Sequence, residues 1–159
     1  MEGAIRMNYK VEQMEAFQVV GLEKTFHMGT NLQEIPKFWD EFFQAGLQEK
    51  IVPMFGVCFD ADASGNFPYM IAEVLQPGKE VPEGMVVREI PALLWARFAC
   101  VGPMPGSIQS VTNQIYSEWL PSNGTYEIAE YMMIELYSDG DSASPDYYSE
   151  VWIPVKKKA

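Results

Sequence analysis

Two stretches of this chain carry one apolar pattern, 76 residues apart: Val11-x-x-Met14-x-Ala16-Phe17 returns as Val87-x-x-Ile90-x-Ala92-Leu93. A second pattern, Phe38-Trp39-x-x-Phe42-Phe43, returns as Ile115-Tyr116-x-x-Trp119-Leu120 at an offset of 77. The elements around them repeat in the same order. In the first half, residues 10–26 read as extended structure with a break near Glu15-Ala16. Ile35, Phe38, Trp39, Phe42 and Leu47 then mark one face of a helix over about 31–46, with Pro36 expected in its first turn. Two strand-like runs, 54–59 and 69–75, follow as a hairpin around a turn-rich segment. Residues 76–84 hold two prolines and two glycines without apolar period and act as a connector. Beyond it come extended structure at 85–101, a Gly/Pro turn, a helix over about 107–120, and strands at 129–137 and 147–155.

This order predicts an α+β fold of two pseudo-duplicated strand–helix–strand–strand units, about 9–75 and 85–155. Their strands are expected in an antiparallel sheet with both helices on one side and a ligand cleft between the repeats, where pockets form readily. Residues 1–8 and 157–159 are then a leader and a tail around one domain at 9–156. A chain of 159 residues can bury a core of that size without disulfide support.

The net charge of −11 and the scatter of the 11 Lys and Arg residues exclude a phosphate-binding surface, since only Lys156, Lys157 and Lys158 form a run. Direct nucleic-acid binding is therefore not expected. An acidic chain instead concentrates cations near any acidic cleft. Cys58 and Cys100 are far apart in sequence and read as buried thiols in a reducing compartment. No stretch reaches the ~18 apolar residues of a membrane span, and the N-terminus lacks a charged region followed by an apolar run. A cytoplasmic protein is the simplest expectation.

Strand alternation divides the last strand into Val151, Ile153 and Val155 on one side and Tyr148, Glu150 and Trp152 on the other. The preceding strand divides into Met132, Ile134 and Leu136 against Tyr131, Met133, Glu135 and Tyr137. If the two pair, one face is expected to present Glu150 and Glu135 among tyrosines and Trp152. That combination suits an organic cation, because ring faces attract positive charge and a partly desolvated carboxylate adds a directional counter-charge. A solvent-facing sheet with amphipathic Tyr and Glu gives the same pattern. Tyr69, Ile71 and Glu73 echo it in the first half, with Glu73 read as a surface residue.

Other motifs are weaker. The one histidine, His27, assembles neither a His-based metal site nor a catalytic triad. Asp60-x-Asp62-x-Ser64-Gly65 copies the opening of a calcium loop, but position twelve is Ile71, so a hairpin turn is expected. Gly102-Pro103-Met104-Pro105-Gly106 lacks the backbone donors of a phosphate loop and reads as the turn before the second helix. No metal and no cofactor are implied.

Ile134-Glu135-Leu136-Tyr137, the acidic loop through Pro145, and Ser149-Glu150-Val151-Trp152-Ile153-Pro154-Val155 resemble the closing hairpin of the GyrI-like family, also called AraC effector-binding domains. Ile90-Pro91-Ala92-Leu93-Leu94-Trp95-Ala96-Arg97-Phe98 resembles the entry to that family's second repeat, and the resemblance runs from about Tyr9 to Lys156. It implies a cleft in which a buried acid meets cationic, amphipathic or aromatic compounds, and Glu150 is the matching candidate. Trp152, Tyr137, Tyr131, Glu135, Tyr148 and Trp95 are expected around it by face and position. With the domain starting near Tyr9, a stand-alone binding protein for sequestration or effector sensing is expected. Two alternatives stay open: a hydrolase of electrophilic cyclopropane compounds using Glu150, and a regulator that binds a protein such as gyrase. A homodimer or a separate DNA-binding partner also fits the resemblance.

Overall fold

Each half begins with a strand that the sequence breaks and restarts. The first ribbon bends at Glu15-Ala16, between β1 (Tyr9–Met14) and β2 (Phe17–His27), and the second at Pro91-Ala92, between β5 (Val86–Ile90) and β6 (Leu93–Val101). Pro91 has no N–H to continue a ladder, so the second bend is built into the covalent chain. The computed structural model describes residues 7–159, and most of the expected leader lies outside them. The remaining elements are α1 (Asn31–Gln44), β3 (Phe55–Cys58), β4 (Asn66–Val74), α2 (Gly106–Gln114), β7 (Tyr126–Ile128), β8 (Met133–Tyr137) and β9 (Tyr148–Lys157).

The described residues form a nine-stranded sheet in the order β1-β6-β9-β8-β3-β4-β2-β5, with β7 paired to β9 off that path. The order reads the same from both ends once β1 is matched to β5, β2 to β6, β4 to β9 and β3 to β8. Its registers confirm the duplication. The offset of 76 carries Tyr9–Met14 onto β5 and Phe17 onto Leu93, and it carries the β1–β6 pairing onto the β5–β2 pairing. The halves meet where β3 pairs antiparallel with β8, through Phe55↔Leu136, Gly56↔Glu135, Val57↔Ile134 and Cys58↔Met133.

Both helices cover one face of this sheet. From α1, Phe38 and Phe42 pack on Val20, Phe26, Tyr69 and Ile71. From α2 and the turns after it, Ile108, Ile115 and Trp119 pack on Ala96, Phe98, Val151 and Ile153. Burying one such aromatic contributes roughly 2–3 kcal/mol. Phe42→Ala, at a side chain with no exposed surface, is expected to cost about 3–5 kcal/mol. The other face is closed by a third cluster, in which Trp95 and Trp152 pack with Phe55, Val57, Met70 and Ile134.

Three details differ from the sequence expectation. Pro36 is the sixth residue of α1 rather than a first-turn residue, and it lies at the cavity described below. The second helix is regular only to Gln114; it continues as a π-helical turn, Ile115–Trp119, and a final turn, Leu120–Ser122. The strand expected at 129–137 starts late, because residues 129–132 bend between the end of β7 at Ile128 and the start of β8 at Met133. No helix among the described residues is long and apolar enough to cross a membrane.

Candidate functional site

A cavity of about 890 Å³ opens between the two helices, above the strands that join the halves. Its first wall comes from α1, whose Leu32, Ile35, Pro36, Trp39 and Phe43 recur at helical spacing. The opposite wall comes from Ile108, Gln109, Thr112 and Tyr116 on the second helix. Cys58, Tyr69, Met133, Glu135 and Tyr137 form the floor, and residues 138–140 of the β8–β9 loop reach one rim. None of the described lining residues is basic, whereas Asp40, Asp139 and Glu135 are acidic.

Glu135 is the carboxylate of the floor. Tyr137 donates to its Oε1 at 2.6 Å and Tyr69 donates to the same oxygen at 3.1 Å. Trp39 in turn donates its indole N–H to Tyr69 Oη at 2.8 Å, and its ring meets that of Tyr137 edge-on at 4.8 Å. Burial pushes the Glu135 carboxyl above the ordinary range, opposed by the two phenol hydrogen bonds. Burial and the neighbouring Glu135 charge hold both tyrosine hydroxyls protonated well past the usual phenol range. Gly56 makes the arrangement possible. A Cβ at that position would lie 2.2 Å from Tyr69 Oη and 2.8 Å from Glu135 Oε1. The cross-strand neighbour of the acid must therefore lack a side chain.

Of the seven expected site residues, Glu135 and Tyr137 line this cavity and five do not. Glu150 and Glu135 do not share a face. The β8–β9 register pairs Glu135 with Val151 and Leu136 with Glu150, so Glu135 joins the helix side and Glu150 the opposite side. There Glu150 Oε1 accepts from Arg97 Nε at 3.0 Å, Arg97 Nη2 at 2.8 Å and Trp152 Nε1 at 2.7 Å, while Tyr148 donates to Oε2. Burial alone would raise the Glu150 carboxyl, but the bonds from Tyr148, Arg97 and Trp152 outweigh it and hold it below the ordinary range. Arg97 Nη1 also donates to Glu12 on β1 at 2.8 Å, and its guanidinium lies 4.4 Å from the Trp152 ring centre. Trp152 and Trp95 are buried in the third cluster, Tyr148 is committed to Glu150, and Tyr131 is 73% exposed in the bend before β8.

The sequence reading missed Trp39 as a site residue. It lies on the apolar stripe of α1, where spacing alone marks it as core. Tyr69 was visible only as an echo, and Gly56 carried no signal beyond being a glycine within a strand. Glu73, expected at the surface, is buried; it accepts from Lys79 at 2.5 Å and from the Val52 backbone. The calcium-like stretch is the β3–β4 turn, in which Asp62 Oδ1 accepts from the backbone of Ser64 and Asn66. His27 fastens the same turn to the start of α1, accepting from Gly29 N and meeting the Ser64 carbonyl.

The fold has parallels. The structure of SAV2435 bound to tetraphenylphosphonium superimposes with a TM-score of 0.81 at 24% identity, over 94% of each chain. An integron cassette protein from the mobile metagenome of Vibrio cholerae gives a TM-score of 0.70 at 15% identity, over 93% of this chain and 95% of that one. In sequence, the chain is 31% identical over 123 residues to the transcriptional regulator BrlR of Pseudomonas aeruginosa. That match takes in 74% of this chain and 44% of BrlR, so the chain spans less than half the length of that relative. The model of the integron-associated effector binding proteins, in the GyrI-like superfamily that the closing hairpin resembles, matches residues 10–155, and the chain belongs to this family.

Proposed function

We propose that the cavity binds small lipophilic organic cations, with Glu135 as the counter-charge and Trp39, Tyr69 and Tyr137 as its aromatic surround. The observation that carries this reading is the recessed carboxylate in a large cavity with aromatic walls and no basic residue among its described lining. A cation there meets ring faces and one negative charge in a medium that screens both poorly. The tetraphenylphosphonium held by SAV2435 and the regulatory role of BrlR support the same reading, the first for the ligand and the second for effector sensing. Cytoplasmic sequestration is the role that remains if no DNA-binding partner is engaged.

Titration with tetraphenylphosphonium tests the assignment. Glu135→Gln is expected to weaken binding roughly 10–100-fold, the effect of removing one close charge partner, while Glu150→Gln leaves it unchanged. Unaltered affinity in Glu135→Gln would remove the carboxylate from the role.

A hydrolytic reading draws on one further observation, the Tyr137 hydroxyl 2.6 Å from a carboxylate that burial makes more basic. In it, Glu135, not Glu150, would activate water against an electrophilic cyclopropane. Product formation that disappears in Glu135→Gln supports it, and stoichiometric binding without turnover rejects it.

A further inference from the structure

The hydrogen bonds at Glu135 fall on one oxygen. Tyr69 and Tyr137 both donate to Oε1, and among the described residues no donor reaches Oε2. One end of this network is fixed by the Trp39 indole. An indole N–H can only donate, so Trp39 makes Tyr69 an acceptor and leaves the Tyr69 proton to point at Glu135. Tyr137 spends its proton on the same atom. The floor of the cavity therefore presents an acceptor without a partner and no free phenol proton.

We propose, resting on the cation reading above, that this site selects cations carrying an N–H, such as protonated amines and amidinium groups, over permanently alkylated ammonium or phosphonium ions of similar shape. Both classes satisfy the charge of Glu135. Only the first satisfies Oε2, and a recessed carboxylate oxygen left unpaired keeps its desolvation penalty. A charge-assisted hydrogen bond of this kind corresponds to about a tenfold difference in affinity or more. Trp39 is the positioning residue behind the preference, since its N–H keeps Tyr69 from turning its own proton toward a ligand.

A matched pair of ligands tests this at pH 7: imipramine, a protonated tertiary amine, and its N-methyl quaternary salt, titrated calorimetrically. The amine is expected to bind about tenfold more tightly than the quaternary salt. Glu135→Gln controls for the size of the added methyl. The two phenol donors hold the amide oxygen at the Oε1 position, which puts the amide NH2 where Oε2 was. Both affinities then fall and the gap closes, whereas a steric gap would persist. Equal or tighter binding of the quaternary salt by the unsubstituted protein overturns the selectivity and leaves the cation reading standing. Binding of neither cation, with a neutral tricyclic still bound, overturns the cation reading itself and the selectivity with it.

Discussion

Glu135 and Glu150 lie on adjacent strands, each with a tyrosine hydroxyl two residues away in sequence, yet they occupy opposite chemical situations. Glu150 has donors on both oxygens, among them a guanidinium, and nothing remains for a ligand to satisfy. Glu135 has two phenols on one oxygen and, among the described residues, no cation bonded to it. A carboxylate with complete partners is part of the scaffold, and one with incomplete partners at a cavity is available. The difference shows in the direction of the pKa shifts, downward at Glu150 and upward at Glu135.

The largest expected effect breaks the scaffold side. Arg97→Met leaves Glu150 charged, buried and without its cation, and it releases Glu12 on the edge strand β1. Removing one partner of a fully buried pair costs about 3–5 kcal/mol; with Arg97 at 18% and Glu150 at 10% exposure, about 2–4 kcal/mol is expected. Thermal unfolding should then fall by roughly 5–15 °C, with ligand affinity unchanged once the protein is folded. A loss of affinity without a loss of stability would reverse the roles assigned to the two faces.

Gly56→Ala attacks the other side. The added methyl must displace either Tyr69 Oη or Glu135 Oε1, because both fall within 3 Å of it. Overpacking of this kind costs about 1–3 kcal/mol, and here the displaced atoms are the site itself. Ligand binding should fail in a protein that still unfolds cooperatively. Retained affinity would show that the carboxylate does not depend on the space above Gly56.

The duplication was legible because it is written twice, in apolar spacing and in the order of elements, and a repeat survives errors at single boundaries. Which face Glu135 occupies was not legible. Alternation divides every strand into two faces, but only register says which face of β8 continues which face of β9, and one residue of slip would have set Glu135 beside Glu150. The expected strand at 129–137 hid a similar problem. Tyr131 alternates correctly with Tyr137 on paper, but the bend before Met133 separates it from that strand. Trp152 shares the face of Glu150 that alternation gives it, yet that face is closed by the third cluster, which Trp95 also fills. An aromatic-and-acid pattern reads the same whether it lines a cavity or fills a core.

Acid titration of stability separates the two glutamates by sign. Glu150 has a folded pKa below its unfolded value, so its stabilisation is present above the ordinary carboxylate range and is lost as pH falls through the folded value. Glu135 has a raised folded pKa, so its favourable contribution exists below the unfolded value and disappears as pH rises through the folded one. At pH 7, Glu150→Gln should unfold a few degrees below the unsubstituted protein and Glu135→Gln at or above it. Both differences should shrink toward pH 3–4, which unfolding scans across that range will show. Differences of the same sign would mean that the two environments are alike.

The finest test exchanges only hydroxyls. Tyr137→Phe keeps the ring that meets Trp39 edge-on and removes the 2.6 Å donor to Glu135. That bond lowers the Glu135 pKa against the burial that raises it, so its loss should move the acid limb of cation binding to higher pH while leaving the amount bound at pH 8 within a few-fold. Tyr148→Phe removes the corresponding donor from Glu150, which keeps Arg97 and Trp152. With Tyr148 42% exposed, stability should fall by about 0.5–1 kcal/mol and the binding profile should not move. The pair of pH profiles asks which glutamate the ligand titrates with. A shift from Tyr148→Phe and none from Tyr137→Phe would return the site to the Glu150 face.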